Sequence, residues 1–154
     1  MKIRTSYFYQ IRNFRRNMIP MSTALGDPKW YHDFQGKYCI FKDKRDILNG
    51  LRYEEIIVQD KCPHICPCET RDPAHCAFLS AYRAELEKLD FNLIMQQLQD
   101  FCDTYCAEEE ITEEPIAVLI VHEAPNNPCS ERGALIDYFN AHGVECKELE
   151  YPIK

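Results

Sequence analysis

The stretch Val118 to Phe139, VLIVHEAPNNPCSERGALIDYF, constrains the fold more than any other part of the chain. Five apolar residues, Ala117 to Val121, run without a charge and then meet His122-Glu123 and a loop of Pro and Asn. A continuous apolar run bounded by turn residues fits a strand covered on both faces, as in parallel sheets. Helical spacing resumes with Ala134, Leu135, Tyr138 and Phe139. Strand, polar loop and amphipathic helix, in that order, predict an α/β fold. The loop sets Glu123, Cys129, Ser130 and Arg132 between the end of the strand and the start of the helix. In open α/β sheets, ligands sit at the carboxyl ends of strands and against helix N-termini.

Other elements are legible around this unit. Lys2 to Phe8 reads as an opening strand, followed by a short basic segment, Gln10 to Arg16. Asn17 to Thr23 is a second strand or extended segment, and Pro20 removes a backbone donor there, which suits a sheet edge or an irregular end. Gly26-Asp27-Pro28 is a turn, and Pro28 to Tyr31 starts a helical turn holding the only Trp of the chain, Trp30. Residues 74–106 predict a helix pair. The first helix carries Phe78, Leu79, Tyr82, Leu86 and Leu89, and the second is capped by Asp90 and carries Phe91, Ile94, Met95, Leu98, Phe101 and Cys102. Glu108 to Glu114 holds five acids in seven residues and reads as a solvated linker. A last strand is expected over Val144 to Leu149. A chain of 154 residues at 45% hydrophobic content suits one domain, residues 1–154, with a core of normal size.

The net charge of −7 hides an asymmetry. Residues 1–52 hold 11 Lys/Arg against 4 Asp/Glu, whereas the remainder holds 7 against 21. Such a basic end either attracts phosphate or nucleic acid, or meets the acidic second half within the fold. No stretch approaches the roughly 18 apolar residues of a membrane span. The N-terminus, MKIRTSYFYQIRNFRR, has basic residues but no apolar core of a secretory signal, so a cytoplasmic location is the expectation. In a reducing compartment, nine cysteines, an odd number, are metal ligands, reactive thiols or core fillers before they are disulfides. Cys39 and Cys146 read as small core residues, and Cys102 and Cys106 share a helical face.

Residues 60–76, DKCPHICPCETRDPAHC, carry three prolines and four cysteines and almost no regular-structure signal. A loop of this length is uncommon unless function or a crosslink holds it. Cys62, Cys66, Cys68 and Cys76 predict a tetrahedral zinc site, with His64 as a substitute for one thiolate. Four protein ligands leave no open position, so the zinc would be structural.

Several motifs match a known family. Thr5-Ser6-Tyr7-Phe8, Pro20-x-Ser22 and Pro28-x-Trp30-Tyr31 lie near the start. Phe78-Leu79-x-x-Tyr82 and Leu89-Asp90-Phe91 follow in the middle, and Glu123, Cys129 and Arg132 near the end. Together they resemble the bacterial and phage proteins of domain-of-unknown-function family 488. Many members read Cys-His-Arg, whereas this chain reads Cys129-Ser130-Glu131-Arg132, without an imidazole beside the thiol. The resemblance implies an α/β fold of Rossmann-like character and implies no activity, which fold alone would not supply.

The expected architecture is therefore a single Rossmann-like α/β domain with a mostly parallel sheet, into which a Cys-rich loop plus helix pair is inserted. Its candidate site gathers Ser6, Tyr7, Ser22, Trp30, Glu123, Cys129, Ser130 and Arg132 at one edge of the sheet. Cys129 is either a thiol activated at a helix N-terminus or an ordinary first-turn residue. Glu123 is either a base or the partner that orients Arg132, and Arg132 suits bidentate pairing with phosphate or carboxylate. His122 is close enough to serve as an acid-base group. The phosphatase loop is excluded, because it needs five residues between Cys and Arg and this chain has two. The expected function is binding, or binding and processing, of a nucleotide-like or phosphorylated small ligand, with Trp30 or Tyr31 as a stacking surface. The alternative is a non-enzymatic, zinc-stabilised interaction module that contacts nucleic acid or protein.

Overall fold

Successive side chains of a strand point to opposite faces of the sheet, and that alternation decides what covers each face. The computed structural model describes residues 1–23, 28–33, 77–122, 124–126 and 130–154. Four strands, β1 (Lys2–Tyr7), β2 (Met18–Ser22), β3 (Ile116–Val121) and β4 (Cys146–Glu148), form one sheet in the order β2-β3-β1-β4. Every pairing in it is parallel. A 3-10 helix (Phe8–Asn13) follows β1, and α1 (Lys29–Asp33) follows β2. Helices α2 (Ala77–Glu87) and α3 (Phe91–Glu108) precede β3, and α4 (Arg132–Ala141) joins β3 to β4. The fold is thus mixed α/β. Among the described residues no helix is long and apolar enough to cross a membrane.

One face carries Ile3, Ile19, Met21, Ala117, Leu119, Val121 and Cys146 against the apolar sides of α2, α3 and α4. The opposite face carries Met18, Val118 and Ile120 against Phe8, Ile11, Phe14 and Tyr31, with Leu149, Tyr151 and Ile153 of the C-terminal tail beside them. Ala117 to Val121 have no solvent-accessible surface, as the uncharged run predicts. Each large apolar side chain so buried contributes about 1.5–3 kcal/mol of transfer free energy. Pro20 lies in β2, which among the described residues pairs only with β3 at the sheet edge, and its carbonyl accepts from the buried Tyr31 hydroxyl at 3.2 Å. The edge position is where a strand tolerates proline.

Boundaries differ from the sequence reading in several places, three of them with a clear cause. β1 stops at Tyr7 because Phe8 turns into the 3-10 helix that fills the segment expected to be merely basic. β4 is limited to Cys146–Glu148, the residues in register with β1, and the Leu149 amide adds one bond to the Thr5 carbonyl at 2.9 Å. α3, capped by the Asp90 carboxylate on the Leu93 amide at 3.1 Å, runs to Glu108. Its end explains the acidic segment. Glu110 adopts φ 55°, the Ile111 amide donates to the Cys106 carbonyl at 2.8 Å, and the Glu110 amide donates to the Ala107 carbonyl at 3.4 Å. This is a Schellman ending, and the buried Ile111 is its apolar contact. α4 ends the same way at Gly143, φ 81°, with the Val144 amide donating to the Phe139 carbonyl at 3.0 Å.

The basic beginning meets the acidic remainder in several places. The N-terminal amine lies 3.2 Å from Glu114, Arg4 pairs with Glu145 at 2.9 Å, and Arg16 donates to the Glu109 carbonyl at 2.7 Å.

A left-handed residue without glycine costs stability that glycine would recover. Glu110→Gly is expected to raise unfolding free energy by about 0.5–1 kcal/mol, and Gly143→Ala to lower it by about 1 kcal/mol. Urea midpoints at unchanged slope would check both.

Candidate functional site at the carboxyl edge of the sheet

Because all four strands are parallel, their carboxyl ends share one edge. The connection from β1 to β2 passes over the face of Val118 and Ile120, and the connection from β3 to β4 over the face of Ala117 and Leu119. These two connections run in opposite directions along the sheet and on opposite faces, so both have the same hand. The neighbours β1 and β3 therefore send their following segments to opposite sides. Their shared end is the topological switch point, where open α/β sheets form a crevice.

On the helical side of this edge stands Glu148, at the end of β4. Its carboxylate accepts from the Thr5 hydroxyl and from Arg132 Nε at 2.9 Å and Nη2 at 3.3 Å. Both partners are largely buried, with side-chain exposures of 9% for Arg132 and 20% for Glu148. The Arg132 guanidinium also lies 5.9 Å from the Tyr7 ring centre. Ser130 Oγ accepts from the Arg132 amide at 3.2 Å, a local side-chain bond that shapes the first turn of α4. Register explains the convergence: Thr5 is aligned with Glu148 across the β1–β4 pairing, and α4 packs on that same face.

On the other side, Ser6 and Ser22 flank Ile120 in the register of β1, β3 and β2. Both are fully buried, and the Ser6 hydroxyl bonds the Tyr151 hydroxyl at 2.6 Å. Burial pushes the Tyr151 phenol up to about 12, against the opposing effect of the Ser6 bond. Thr23 closes the end of β2 with its amide and hydroxyl both on the Ile120 carbonyl. Beyond the strand ends, the Phe8 ring contacts His122 at 4.8 Å and Trp30 at 6.3 Å between centres. His122 is exposed, and Trp30 is 44% exposed.

Of the residues singled out by sequence, Ser6, Tyr7, Ser22, Trp30, Ser130 and Arg132 thus stand at one edge, divided between the two sides of the sheet. Glu123 and Cys129 lie outside the described residues, as do Cys62, Cys66, Cys68 and Cys76 of the zinc expectation. Among the described residues no group of three or more His, Cys, Asp or Glu side chains is arranged to hold a metal ion. Sequence reasoning missed Thr5, Glu148 and Tyr151. Glu148 had a signal, since it is the acidic end of a strand alternating with the apolar Cys146.

The described cysteines are core residues. Burial pushes the thiols of Cys102 and Cys146 up to about 12, with Cys106 and Asp103 adding to the effect at Cys102. No family model, no curated protein and no solved structure matches this chain. Fold and edge together define a mixed α/β protein whose parallel strands end on a polar edge bordered by aromatic rings.

Replacing Arg132 by Met would strand Glu148 beside Thr5 and is expected to cost about 2–4 kcal/mol. Arg132→Lys should recover only part of this, because an ammonium lacks the fork that spans both carboxylate oxygens. A double-mutant cycle with Glu148→Gln would measure the coupling. The raised thiols give a second test. The unfolded chain ionises near pH 8.5–9 and the folded one near 12, so their stabilising contribution is complete below about pH 8.5. It is lost as pH rises towards 12. Urea midpoints across that window should fall less steeply in Cys102→Ala/Cys146→Ala.

Proposed function

We propose that the crevice at the carboxyl ends of β1 and β3 binds a nucleotide-like or otherwise phosphorylated small ligand. One observation carries this reading: the topological switch point coincides with a guanidinium, a helix start and two partly or fully exposed aromatic rings. A ligand with an anionic group and a planar ring uses both sides of that edge. Its anion is drawn to Arg132 and to the amides at the start of α4. Its ring has Trp30 to lie against, with His122 alongside.

Arg132 already shares a carboxylate with Glu148, so it enters such a complex oriented, at little further entropic cost. Thr5 and Glu148 act as positioning residues in this reading, and Ser6 and Tyr151 hold the end of β1 in place. Whether chemistry follows binding turns on Cys129 and Glu123, whose roles are read from sequence alone. The resemblance to family 488 belongs to the same proposal, as does structural zinc on Cys62, Cys66, Cys68 and Cys76.

The single tryptophan makes the test direct. Titration with a nucleoside monophosphate or diphosphate is expected to change Trp30 fluorescence and to raise the unfolding temperature. Arg132→Lys should weaken binding about tenfold or more, the value of a charge-assisted hydrogen bond. Trp30→Phe should retain the thermal shift while losing the optical signal. An unchanged melting curve and emission across nucleotides and sugar phosphates would remove the proposal.

A further inference from the structure

A second surface adjoins that edge, with Tyr151 common to both. The 3-10 helix and the C-terminal tail enclose an open groove of about 540 Å³, with Tyr9, Gln10, Asn13 and Arg15 on one side and Tyr151 and Ile153 on the other. We infer that this groove binds a segment of single-stranded nucleic acid.

Three features carry the inference. First, Tyr9 is 60% exposed, although an aromatic ring of that size gains from being covered. It is held in place: the Arg12 guanidinium lies 4.1 Å from its ring centre while Arg12 Nε donates to the Tyr9 carbonyl at 3.1 Å. A fixed, exposed ring backed by a cation is a stacking platform that accepts any base. Second, the charge on the 3-10 helix side of the groove is of one sign. No Asp or Glu occurs in residues 1–23, and none of the described lining residues is acidic. Arg4 and Arg16 are engaged with Glu145 and the Glu109 carbonyl, whereas Arg12 and Arg15 are exposed beside the groove. Third, the floor is pre-ordered. Tyr151 is tied to Ser6, Gln10 donates to the Tyr7 hydroxyl at 3.0 Å, and Asn13 donates to Gln10 at 2.7 Å.

The form of the groove selects a strand over a free nucleotide. Small-ligand pockets bury most of their ligand. Here Tyr9, Asn13, Arg15 and Pro152 are all exposed, so the groove is open along its length and suits a chain that passes through. A double helix presents its bases stacked inward and offers Tyr9 no face.

The test uses the full chain and a fluorescently labelled single strand of about 12 nucleotides, a length within the usual site sizes. Anisotropy would be read from about 50 to about 200 mM salt. Binding is expected at low salt, with log affinity falling against log salt at a slope of about −1.4 for two phosphate contacts. Arg12→Ala/Arg15→Ala should bring that slope close to zero. Tyr9→Ala should weaken binding about tenfold and leave the slope in place. Both variants alter exposed side chains, and their melting temperatures would be compared with the parent. Should Tyr9→Ala unfold, the arginine pair decides alone. No binding by the parent at low salt, variants that bind as the parent does, preference for duplex, or equal affinity for a mononucleotide would each overturn the inference.

Discussion

The pairing of β1 with β3 is the contact on which the other features rest. It runs in register from Lys2 opposite Ile116 to Tyr7 opposite Val121. β3 is enclosed by β1 and β2 and covered on both faces, so its backbone groups have no water to turn to and must bond their neighbours. Parallel pairing cannot be closed by a hairpin, so each strand needs a crossover. Those crossovers place the 3-10 helix on one face and α4 on the other. The polar edge follows from the apolar strand.

At that edge several buried polar groups satisfy one another. Glu148 receives Thr5 and Arg132, and Ser6 meets Tyr151. Charges taken out of water must be paired at good geometry, and the forked contact of Arg132 meets that demand. The result ties the start of α4 to β4 and β1 at a fixed distance. It also separates two kinds of residue. The buried serines and Thr5 frame the edge, whereas His122 and Trp30 are the exposed rings there among the described residues.

How much of this was legible in the sequence depends on the range of the interaction. β3 could be read from five consecutive apolar residues, because burial on both faces leaves no room for a charge. Pro20 pointed to a sheet edge and Asp90 to a helix cap, since each acts on its own backbone within a few residues. The 3-10 helix was not legible: Phe8, Ile11 and Phe14 are apolar at a spacing of three, but the Arg residues between them dominated the reading. The sequence suggests Glu123, nine residues away, as a partner of Arg132, and that residue lies outside the described ones; the partner that is described, Glu148, lies 16 residues away. Nothing local marks such a pair; it exists because α4 returns the chain to the sheet. The same holds for Ser6 and Tyr151, joined across 145 residues.

Charge is the remaining constraint, and its reach decides what the surface can attract. A net charge of −7 would repel a polyanion if the whole molecule were felt at once. At physiological salt, exposed charges beyond about 8 Å are largely screened. A ligand at the 3-10 helix therefore meets Arg12 and Arg15 more than acids beyond that range, and two acids that touch the basic end are already engaged: Glu145 holds Arg4, and Glu114 holds the N-terminal amine. Those contacts neutralise charge where β1 must pack and leave it exposed where the chain turns away from the sheet. An acidic protein can in this way carry a cationic, aromatic surface without losing the solubility its overall charge provides.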